Sequence, residues 1–509
     1  LRAMPKGADL HTHLGGAALT DNLIRWGRQD GLCVRTADQT AVQPPCGDDS
    51  VPLAQATAGS DLYHRLVSAW SLDNPRAALR QRHAHFFDAF AKFSAVANNH
   101  TIDMAEEVVR RAAAQGVVHV EIIVGFQGSS IGRLADQLMD PEAAWNDTYL
   151  REAREALIHA PEFRPAIARS VEEINKIGSE LRSRFRCDSA RPDPACDVTV
   201  RYLIHGVRTQ SREFVFGQWV YAFELAQADN RVVGVNLVAP EEHTLSLTHY
   251  DDEMTAVGFL SRLNRSLPDR QPVHVSLHAG ELVADVLPLT DQGQAHLRSH
   301  IRHAVTLAGA ERIGHAVDLM NEQDVGQLGE DSAAAPAAPA AGLLSTPEGS
   351  TDLTPGSLLR HMAHLGVAVE VCLTSNQLLL GAEGDSHPLA TYLAAGVPVT
   401  LATDDEGILR TDLTAEYVRA ATVQHLDYRQ LKTIARMGVE KSFLPGASLW
   451  ENARTFAPVA ACSSSDPGGA TPLSPTCSAF LAGSPRALQQ WKLEGKFATF
   501  EASQSSAQP

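Results

Sequence analysis

Two histidines near the start of the sequence have the spacing of a metal site. His11 and His13 lie one residue apart in the apolar run G-A-D-L-H-T-H-L, residues 7–14. If this run is a strand, residues two apart point to the same face, so both imidazoles can reach one ion. Two buried histidines that hydrogen-bond to the backbone would give the same pattern, and the pair alone does not decide between the two interpretations.

A third histidine and an aspartate complete a ligand set. His278 comes near the end of the run P-V-H-V-S-L-H-A-G-E, and Asp404 comes near the end of V-P-V-T-L-A-T-D-D. Three neutral imidazoles and one carboxylate suit Zn²⁺ and leave room for a water molecule. A zinc ion lowers the pKa of such a water to about 7, which provides hydroxide at neutral pH. The sequence therefore predicts one zinc ion per chain, bound by His11, His13, His278 and Asp404.

Three further side chains close to these ligands suit proton transfer. Glu281 follows His278 by three residues, and burial there would raise its pKa and let it donate a proton. His315 ends another apolar run and would either accept the proton of the water or hold the hydroxide in line, although a structural core histidine is the alternative. Asp405 adjoins the aspartate ligand, and two carboxylates so close require a metal ion or a hydrogen-bond donor between them. We expect these three residues to be catalytic.

The elements that must position these residues are short apolar runs separated by helical segments. Eight runs have the composition of strands: 7–14, 117–125, 198–206, 232–238, 272–281, 312–319, 367–376 and 397–405. Amphipathic segments with helical spacing lie between several of them, for example 100–115, 211–229 and 290–309. Strands that are apolar on both faces and alternate with helices favour an α/β protein with a closed (β/α)8 TIM barrel over an open sheet.

The barrel prediction places the polar residues of the strands together. Chemistry in such barrels gathers at the C-terminal ends of the strands. Besides the ligands and catalytic residues, we expect Glu121, His205, Ser375 and Asn376 at this end.

Several segments fall outside the barrel pattern. We predict a barrel domain over 1–457, with insertions after the first strand (27–80) and before the third strand (140–197), a flexible low-complexity loop (331–355) and a C-terminal extension (458–509).

Six of the seven cysteines form three local pairs. The pairs are Cys33 with Cys46, Cys187 with Cys196, and Cys462 with Cys477, and each encloses a polar segment. A disulfide across such a segment would contribute about 2–4 kcal/mol by restricting the unfolded chain. Three disulfides imply an oxidising compartment, so we expect a secreted or periplasmic protein, with free thiols as the alternative. Cys372 lies in an apolar run and is predicted to be a buried free thiol.

Composition restricts the partners. The sequence has 43 basic and 60 acidic residues, a formal charge of −17, which disfavours polymeric nucleic acid and anionic membranes. No uninterrupted apolar stretch approaches the roughly 20 residues that cross a bilayer. We expect a small-molecule substrate; the oligomeric state stays open.

Taken in order, the motifs resemble those of one known family. M-P-K-G-A-D-L-H-T-H-L-G-G, V-V-G-V-N-L-V-A-P-E, S-L-H-A-G-E, R-I-G-H-A, E-V-C-L-T-S-N and T-L-A-T-D-D are similar to the adenosine deaminase family of metal-dependent aminohydrolases, over about residues 4–456. The segment after the first strand and the paired cysteines look most like the secreted, growth-factor-type branch.

The resemblance implies a reaction. His11, His13, His278 and Asp404 would hold Zn²⁺, and His315 with Asp405 would position and deprotonate a water. Hydroxide would attack C6 of a 6-aminopurine nucleoside while Glu281 protonates N1, which releases ammonia and leaves the 6-oxo purine. Two other classes stay open: a hydrolase of cyclic amides or esters, and an inactive extracellular binding or signalling protein. The run V-V-G-V-N-L-V lacks the lysine that would bridge a second metal, which favours deamination.

Three positions depart from the family pattern. Gly15 stands where an aspartate often lies near the ribose, Ala239 where a glycine usually faces the purine, and Ala316 where a glycine usually follows R-I-G-H. The resemblance makes Glu281, Asp405, Ala239 and Gly15 the substrate-contacting positions. The departures leave the metal set intact and leave the identity of the nucleoside open.

Overall fold

The computed structural model describes residues 1–287, 296–322, 355–467 and 473–505. Eight parallel strands follow one another around a single sheet: β1 Gly7–His13, β2 Val117–Val124, β3 Thr199–Val207, β4 Val232–Val238, β5 His274–Ala279, β6 Arg312–His315, β7 Ala368–Val371 and β8 Val399–Leu401. Helices connect the strands, so the predicted (β/α)8 TIM barrel is confirmed.

The first and last strands close the barrel at their C-terminal ends. The Asp404 N–H donates to the carbonyl of His11 at 2.9 Å, and the His13 N–H donates to the carbonyl of Asp404 at 3.1 Å. These bonds make a parallel bridge between Thr12 and Asp404. Residues of the predicted metal site therefore also form the seam of the barrel.

The strands form because their residues are β-branched or apolar and are buried on both faces. In β2 the sequence V-V-H-V-E-I-I-V is buried from Val117 to Ile123, as expected for a strand between a barrel interior and a layer of helices.

The helices run Leu14–Ala17, Thr20–Gln29, Asp61–Trp70, Leu79–Ala97, Thr101–Ala114, Gly128–Leu138, Asp147–His159, Phe163–Arg184, Arg212–Ala228, Thr244–Ser266, His300–Thr306, Pro355–Leu365, Leu373–Leu380, Leu389–Ala394, Glu406–Leu409, Leu413–Thr422, Tyr428–Glu440, Pro475–Gly483 and Pro485–Ser505.

The predicted seventh strand was too long. The strand ends at Val371, and a helix begins at Leu373, so Ser375 and Asn376 lie on a helix rather than on a strand. A short apolar run does not distinguish a strand from a buried helix. Likewise β6 ends at His315, and a 3₁₀ helix, Val317–Asn321, follows it.

Glu121 does not lie at the C-terminal end of its strand, and that prediction was wrong. Its side chain is buried inside the barrel, where Arg312 at the start of β6 donates to it at 2.6 Å. The Phe443 N–H donates to it at 2.6 Å and His119 contacts it at 3.1 Å. Glu121 is thus part of the packing of the barrel interior.

The first insertion, 27–80, begins within the helix Thr20–Gln29. Its centre is a three-stranded antiparallel sheet of Cys33–Arg35, Ala41–Val42 and Ser50–Pro52, followed by the helix Asp61–Trp70. The second insertion, 140–197, consists mainly of the helices Asp147–His159 and Phe163–Arg184. Both insertion boundaries remain predictions.

The C-terminal extension packs against the barrel layer. In the helix Pro485–Ser505, Leu493 and Phe497 are buried in the main core, and Glu494 accepts two bonds from Arg436, at 2.7 and 2.6 Å. Residues 331–354 of the predicted flexible loop, and 290–295 of a predicted helix, lie outside the described residues, and residue 355 begins the helix Pro355–Leu365.

The sulfur atoms of the three predicted cysteine pairs lie at bonding distance: Cys33 and Cys46, Cys187 and Cys196, Cys462 and Cys477. Cys372 is free and buried. Across the described part of the chain, none of the helices is both long and apolar enough to span a bilayer.

Candidate metal centre

The four predicted ligands meet at the C-terminal mouth of the barrel. The Nε2 atoms of His11, His13 and His278 lie 3.0–3.3 Å from one another. Asp404 Oδ1 lies 3.2 Å from Nε2 of His13 and 3.7 Å from Nε2 of His11. Four donors that surround a zinc ion tetrahedrally at about 2.0–2.1 Å stand roughly 3.3–3.4 Å apart. The donor set therefore has the dimensions of a tetrahedral site.

The hydrogen bonds at Nδ1 of His11 and His278 show whether the opposite nitrogen, Nε2, can bind a cation. His11 Nδ1 contacts the Glu370 carboxylate at 2.7 Å, and His278 Nδ1 contacts Oδ1 of Asn236 at 2.7 Å. That oxygen also accepts from the Leu237 N–H, so it is an acceptor and His278 is the donor. A neutral ring protonated on Nδ1 carries a lone pair on Nε2.

Two such lone pairs therefore face each other across 3.0 Å, between His11 and His278. This arrangement is unfavourable unless a cation lies between them. Burial, together with the neighbouring imidazoles, lowers the pKa of His278 well below its usual value, which keeps this ring neutral and able to coordinate. Burial alone would raise the pKa of Asp404, but His13 and the other imidazoles outweigh it and hold the pKa well below the usual range.

A buried ion network supports His11 from behind. Glu370 accepts from His11, from Arg312 and, at 2.9 Å, from the Ser276 hydroxyl. Burial would raise the pKa of Glu370, but Arg312 and His11 reverse the shift and lower it. The carboxylate therefore fixes the ring orientation of His11, as outer partners of metal ligands do.

Glu281 lies beside the predicted ligands, and the pKa of its carboxyl is shifted. Burial raises its pKa to about 7, against the opposing charge of Arg208. Arg208 Nη2 donates to it at 2.8 Å, and the backbone N–H of Glu281 donates to Glu241 at 2.7 Å. Near neutral pH this carboxyl is partly protonated, Arg208 holds it directly and Glu241 holds the Glu281 backbone, which are the properties required of a proton donor.

His315 and Asp405 also lie where the sequence predicts them. His315 Nε2 is 3.4 Å from Glu281 Oε1 and 4.0 Å from Asp404 Oδ2. Asp405 is buried, and burial and the adjacent Asp404 raise its pKa well above the usual value. Its Oδ1 has no hydrogen-bond partner among the described residues. A Cβ at Gly16 would lie 1.9 Å from that oxygen, so this glycine leaves the space that Asp405 occupies.

The three departures from the family pattern lie around the same mouth. Ala239 and Ala316 have φ of +82° and +50°, so each alanine keeps the left-handed backbone that glycine favours. The Ala239 carbonyl accepts from Arg208 Nε at 2.6 Å. Gly15 is exposed, and an added Cβ there would lie 4.0 Å from the Phe90 ring. His205 lies near the end of β3 and is half-buried, and its partial burial together with the nearby His13 lowers its pKa to about 3.

Sequence reasoning missed the residues that hold these groups in place: Arg208, Asn236, Glu241, Arg312 and Glu370. Four of them bind a site residue that is distant in sequence, and Arg312 binds Glu370. All except Arg208 fall within the family motifs, but a motif does not show which distant residue each of them binds. Asn376, predicted only as a polar residue at a strand end, lies on a helix and contacts His315 Nδ1 at 2.9 Å. The available signal was that charged residues interrupt otherwise apolar runs.

Comparisons with known proteins relate this chain to deaminases. The family model described as adenosine deaminase matches residues 194–449, about half of the chain. Aminodeoxyfutalosine deaminase of Streptomyces coelicolor is 41% identical over 97 residues, which cover 19% of this chain and 25% of that protein. Adenosine deaminase of Escherichia coli is 27% identical over 210 residues, 41% of this chain and 49% of its own length. The chain thus aligns with a quarter to a half of these relatives.

Among solved structures, adenine deaminase from Arthrobacter aurescens superposes with a TM-score of 0.48 at 17% identity, covering 87% of this chain and 94% of that one. The matched region 194–449 runs from before β3 to beyond β8 and contains His278, Glu281 and Asp404. On the strength of this match over half of its length, the chain belongs to the adenosine deaminase family of hydrolytic deaminases.

Proposed function

We propose that this protein is a zinc-dependent hydrolase that converts adenosine, or a closely related 6-aminopurine nucleoside, into the 6-oxo product and ammonia. The observation that carries the proposal is the convergence of four metal donors with a carboxyl whose pKa is about 7. Replacing an aromatic amine by water requires both an activated oxygen nucleophile and a proton for the ring.

His11, His13, His278 and Asp404 would hold the ion. When bound there, Zn²⁺ supplies a Lewis acid that brings the pKa of water to about 7. Strand β4 supports a single metal ion, because it contains Asn236, which holds His278, and has no lysine that could bridge a second one.

Glu281 would donate its proton to N1 of the purine, so that the ring accepts electrons from the attacking oxygen at C6. Arg208 and the backbone bond to Glu241 keep this carboxyl in place. Asp405, which is buried beside Asp404, would take a proton from the nucleophile and pass it to the amino group, which then leaves as ammonia. Ala239 and Gly15, at the rim of the mouth, would contact base and sugar.

The test is deamination of adenosine, followed by ammonia release, for the wild type and for His278→Ala. We expect loss of activity after thorough chelation and recovery with zinc, and we expect His278→Ala to lose both zinc and activity. Activity that survives metal removal, or that survives in His278→Ala, would overturn the zinc proposal.

A substrate panel addresses the remaining alternatives. It comprises adenosine, 2′-deoxyadenosine, adenine, adenosine monophosphate and aminodeoxyfutalosine. Turnover of at least one aminopurine supports the proposal. Turnover confined to cyclic amides or esters would favour the other hydrolase class, and absence of turnover in a zinc-loaded protein would favour a binding or signalling role.

We also propose an oxidising location, secreted or periplasmic, from the three cysteine pairs at bonding distance. The formal charge of −17 supports a small-molecule partner rather than polymeric nucleic acid.

A further inference from the structure

A line of hydrogen bonds connects His315 to the backbone of a neighbouring helix. The Leu389 N–H donates to His387 Nδ1 at 3.1 Å, and His387 Nε2 contacts Oδ1 of Asn376 at 3.0 Å. Nδ2 of the same Asn376 amide contacts His315 Nδ1 at 2.9 Å. The three side chains are at most 3% exposed, so water does not compete for these bonds.

The bond from the Leu389 N–H to His387 fixes the donor and acceptor of every other bond in this line. A backbone N–H can only donate, so His387 Nδ1 is an acceptor and the single proton of this neutral ring lies on Nε2. That N–H donates to Asn376 Oδ1 and fixes which end of the amide faces each ring. The Asn376 NH₂ then donates to His315 Nδ1, which leaves the proton of neutral His315 on Nε2.

The protonated nitrogen points into the metal centre. His315 Nε2 is buried and has no hydrogen-bond partner among the described residues. Its nearest acceptors are Glu281 Oε1 at 3.4 Å and Asp404 Oδ2 at 4.0 Å. The roles of both ring nitrogens of His315 are thereby defined: Nδ1 accepts a hydrogen bond from Asn376, and Nε2 carries the N–H.

We infer that His387, acting through Asn376, holds His315 in the Nε2–H tautomer, so that His315 donates a hydrogen bond to the oxygen that attacks the substrate instead of accepting its proton. This inference rests on the proposed deamination for its chemical meaning. It decides between the two roles that the sequence leaves open for His315, and it makes His387 a positioning residue that has no contact with the reacting atoms.

Asn376→Asp reverses the direction of the hydrogen bond to His315 and almost keeps the shape of the side chain. An ionised carboxylate only accepts, so His315 must place a proton on Nδ1, and the neutral ring then presents a lone pair on Nε2. We expect kcat to fall by about 10- to 100-fold, the range for groups behind a metal centre, with KM unchanged. A kcat equal to the wild-type value would overturn the inference.

His387 is tested by a pair of variants. His387→Phe removes the donor to Asn376 and should lower kcat as Asn376→Asp does, whereas His387→Gln supplies an amide N–H and should restore most of the activity. Equal kcat values in these two variants would contradict the positioning role. His85→Phe is the matched control, because it removes a ring bond to the Ser71 carbonyl, at 3.2 Å, outside the site. Zinc content and melting temperature are measured for every variant.

The tautomer itself is read by NMR of protein labelled with ¹⁵N in its histidine rings, zinc-loaded and without substrate. His315 is assigned by its loss in His315→Gln. We expect an N–H-type shift for Nε2 and a lone-pair-type shift for Nδ1 in the wild type, reversed in Asn376→Asp. A wild-type ring with the lone pair on Nε2 would overturn the inference. Because this measurement needs no turnover, its failure is distinct from failure of the proposed function.

Discussion

Glu281 combines a high pKa with a rigid position, and both come from its neighbours. Burial favours the neutral carboxyl, while Arg208 prevents the pKa from rising further than about 7. A general acid is most effective when its pKa lies near the working pH. These properties fit the proposed role of Glu281 as proton donor.

Glu281→Gln should retain zinc and lose turnover. The amide keeps the size of the side chain but has no proton to transfer, so we expect kcat to fall by about 100- to 10,000-fold. Zinc analysis of the purified variant is the control. If the metal content falls together with activity, Glu281 is a ligand and not the acid.

The same pKa predicts the alkaline limb of the pH profile. The protonated form is the active acid, so kcat/KM should decline as pH rises through about 7 and the proton is lost. In Glu281→Gln this limb should be absent from the residual activity. A profile in which wild-type activity rises with pH through this region would show that the ionised carboxylate is the active form.

Gly314 is a second residue whose effect can be predicted. A Cβ there would lie 2.6 Å from Cε1 of His11, so Gly314→Ala must displace that imidazole. We expect weaker zinc binding and lower activity with the fold retained, measured by metal content after dialysis and by circular dichroism. Gly309→Ala, which meets no atom within 4 Å, has φ +68° and serves as a control for backbone strain alone. Equal zinc affinity in the two variants would contradict the prediction.

At the scale of elements, a line of buried charges joins three strands. Arg312 of β6 binds Glu121 of β2 and Glu370 of β7, and its guanidinium carbon lies 3.6 Å from the centre of the Phe443 ring. All three charges are buried, and Arg312 is the one arginine that both acids contact. Removing one partner of such a network leaves uncompensated charge in the core.

Arg312→Met should therefore destabilise the fold by about 3–5 kcal/mol. The free energy of unfolding in urea measures this loss. Arg35→Met is the control, since the Arg35–Asp38 pair is largely exposed and such pairs contribute roughly 0–1 kcal/mol. A loss as small as that of the control would mean that Glu121 and Glu370 find other partners.

The sequence predicts the fold and the proposed site residues better than the residues that hydrogen-bond to them. Strand order follows from eight apolar runs, and proposed ligands such as His278 are recognisable because their types and positions match zinc chemistry. The roles of Arg208 and Glu370 cannot be recognised in this way, because their partners are fixed only when distant strands meet. The seventh strand was predicted too long because V-C-L-T-S-N is apolar enough to fit either a strand or the helix that begins at Leu373.

At the scale of the whole molecule, the three cysteine pairs lie in the two insertions and the C-terminal extension, while Cys372 is buried in the barrel. Denatured, unreduced protein should react with a thiol reagent at one cysteine, Cys372. All seven cysteines of the sequence reacting would contradict the disulfides and with them the proposed oxidising location. Fully reduced protein provides the reference of seven.

The seam of the barrel has a thermodynamic consequence. His11 and His13 belong to β1, while Asp404 follows β8, and the bonds that join these residues close the barrel. The ligand set is complete only when the first and last strands have docked. A metal ion that binds this set would stabilise the closed barrel, because it would bind the closed form and not the open one. Metal affinity and barrel closure would therefore form one coupled equilibrium, in which loosening the seam also releases the proposed ion.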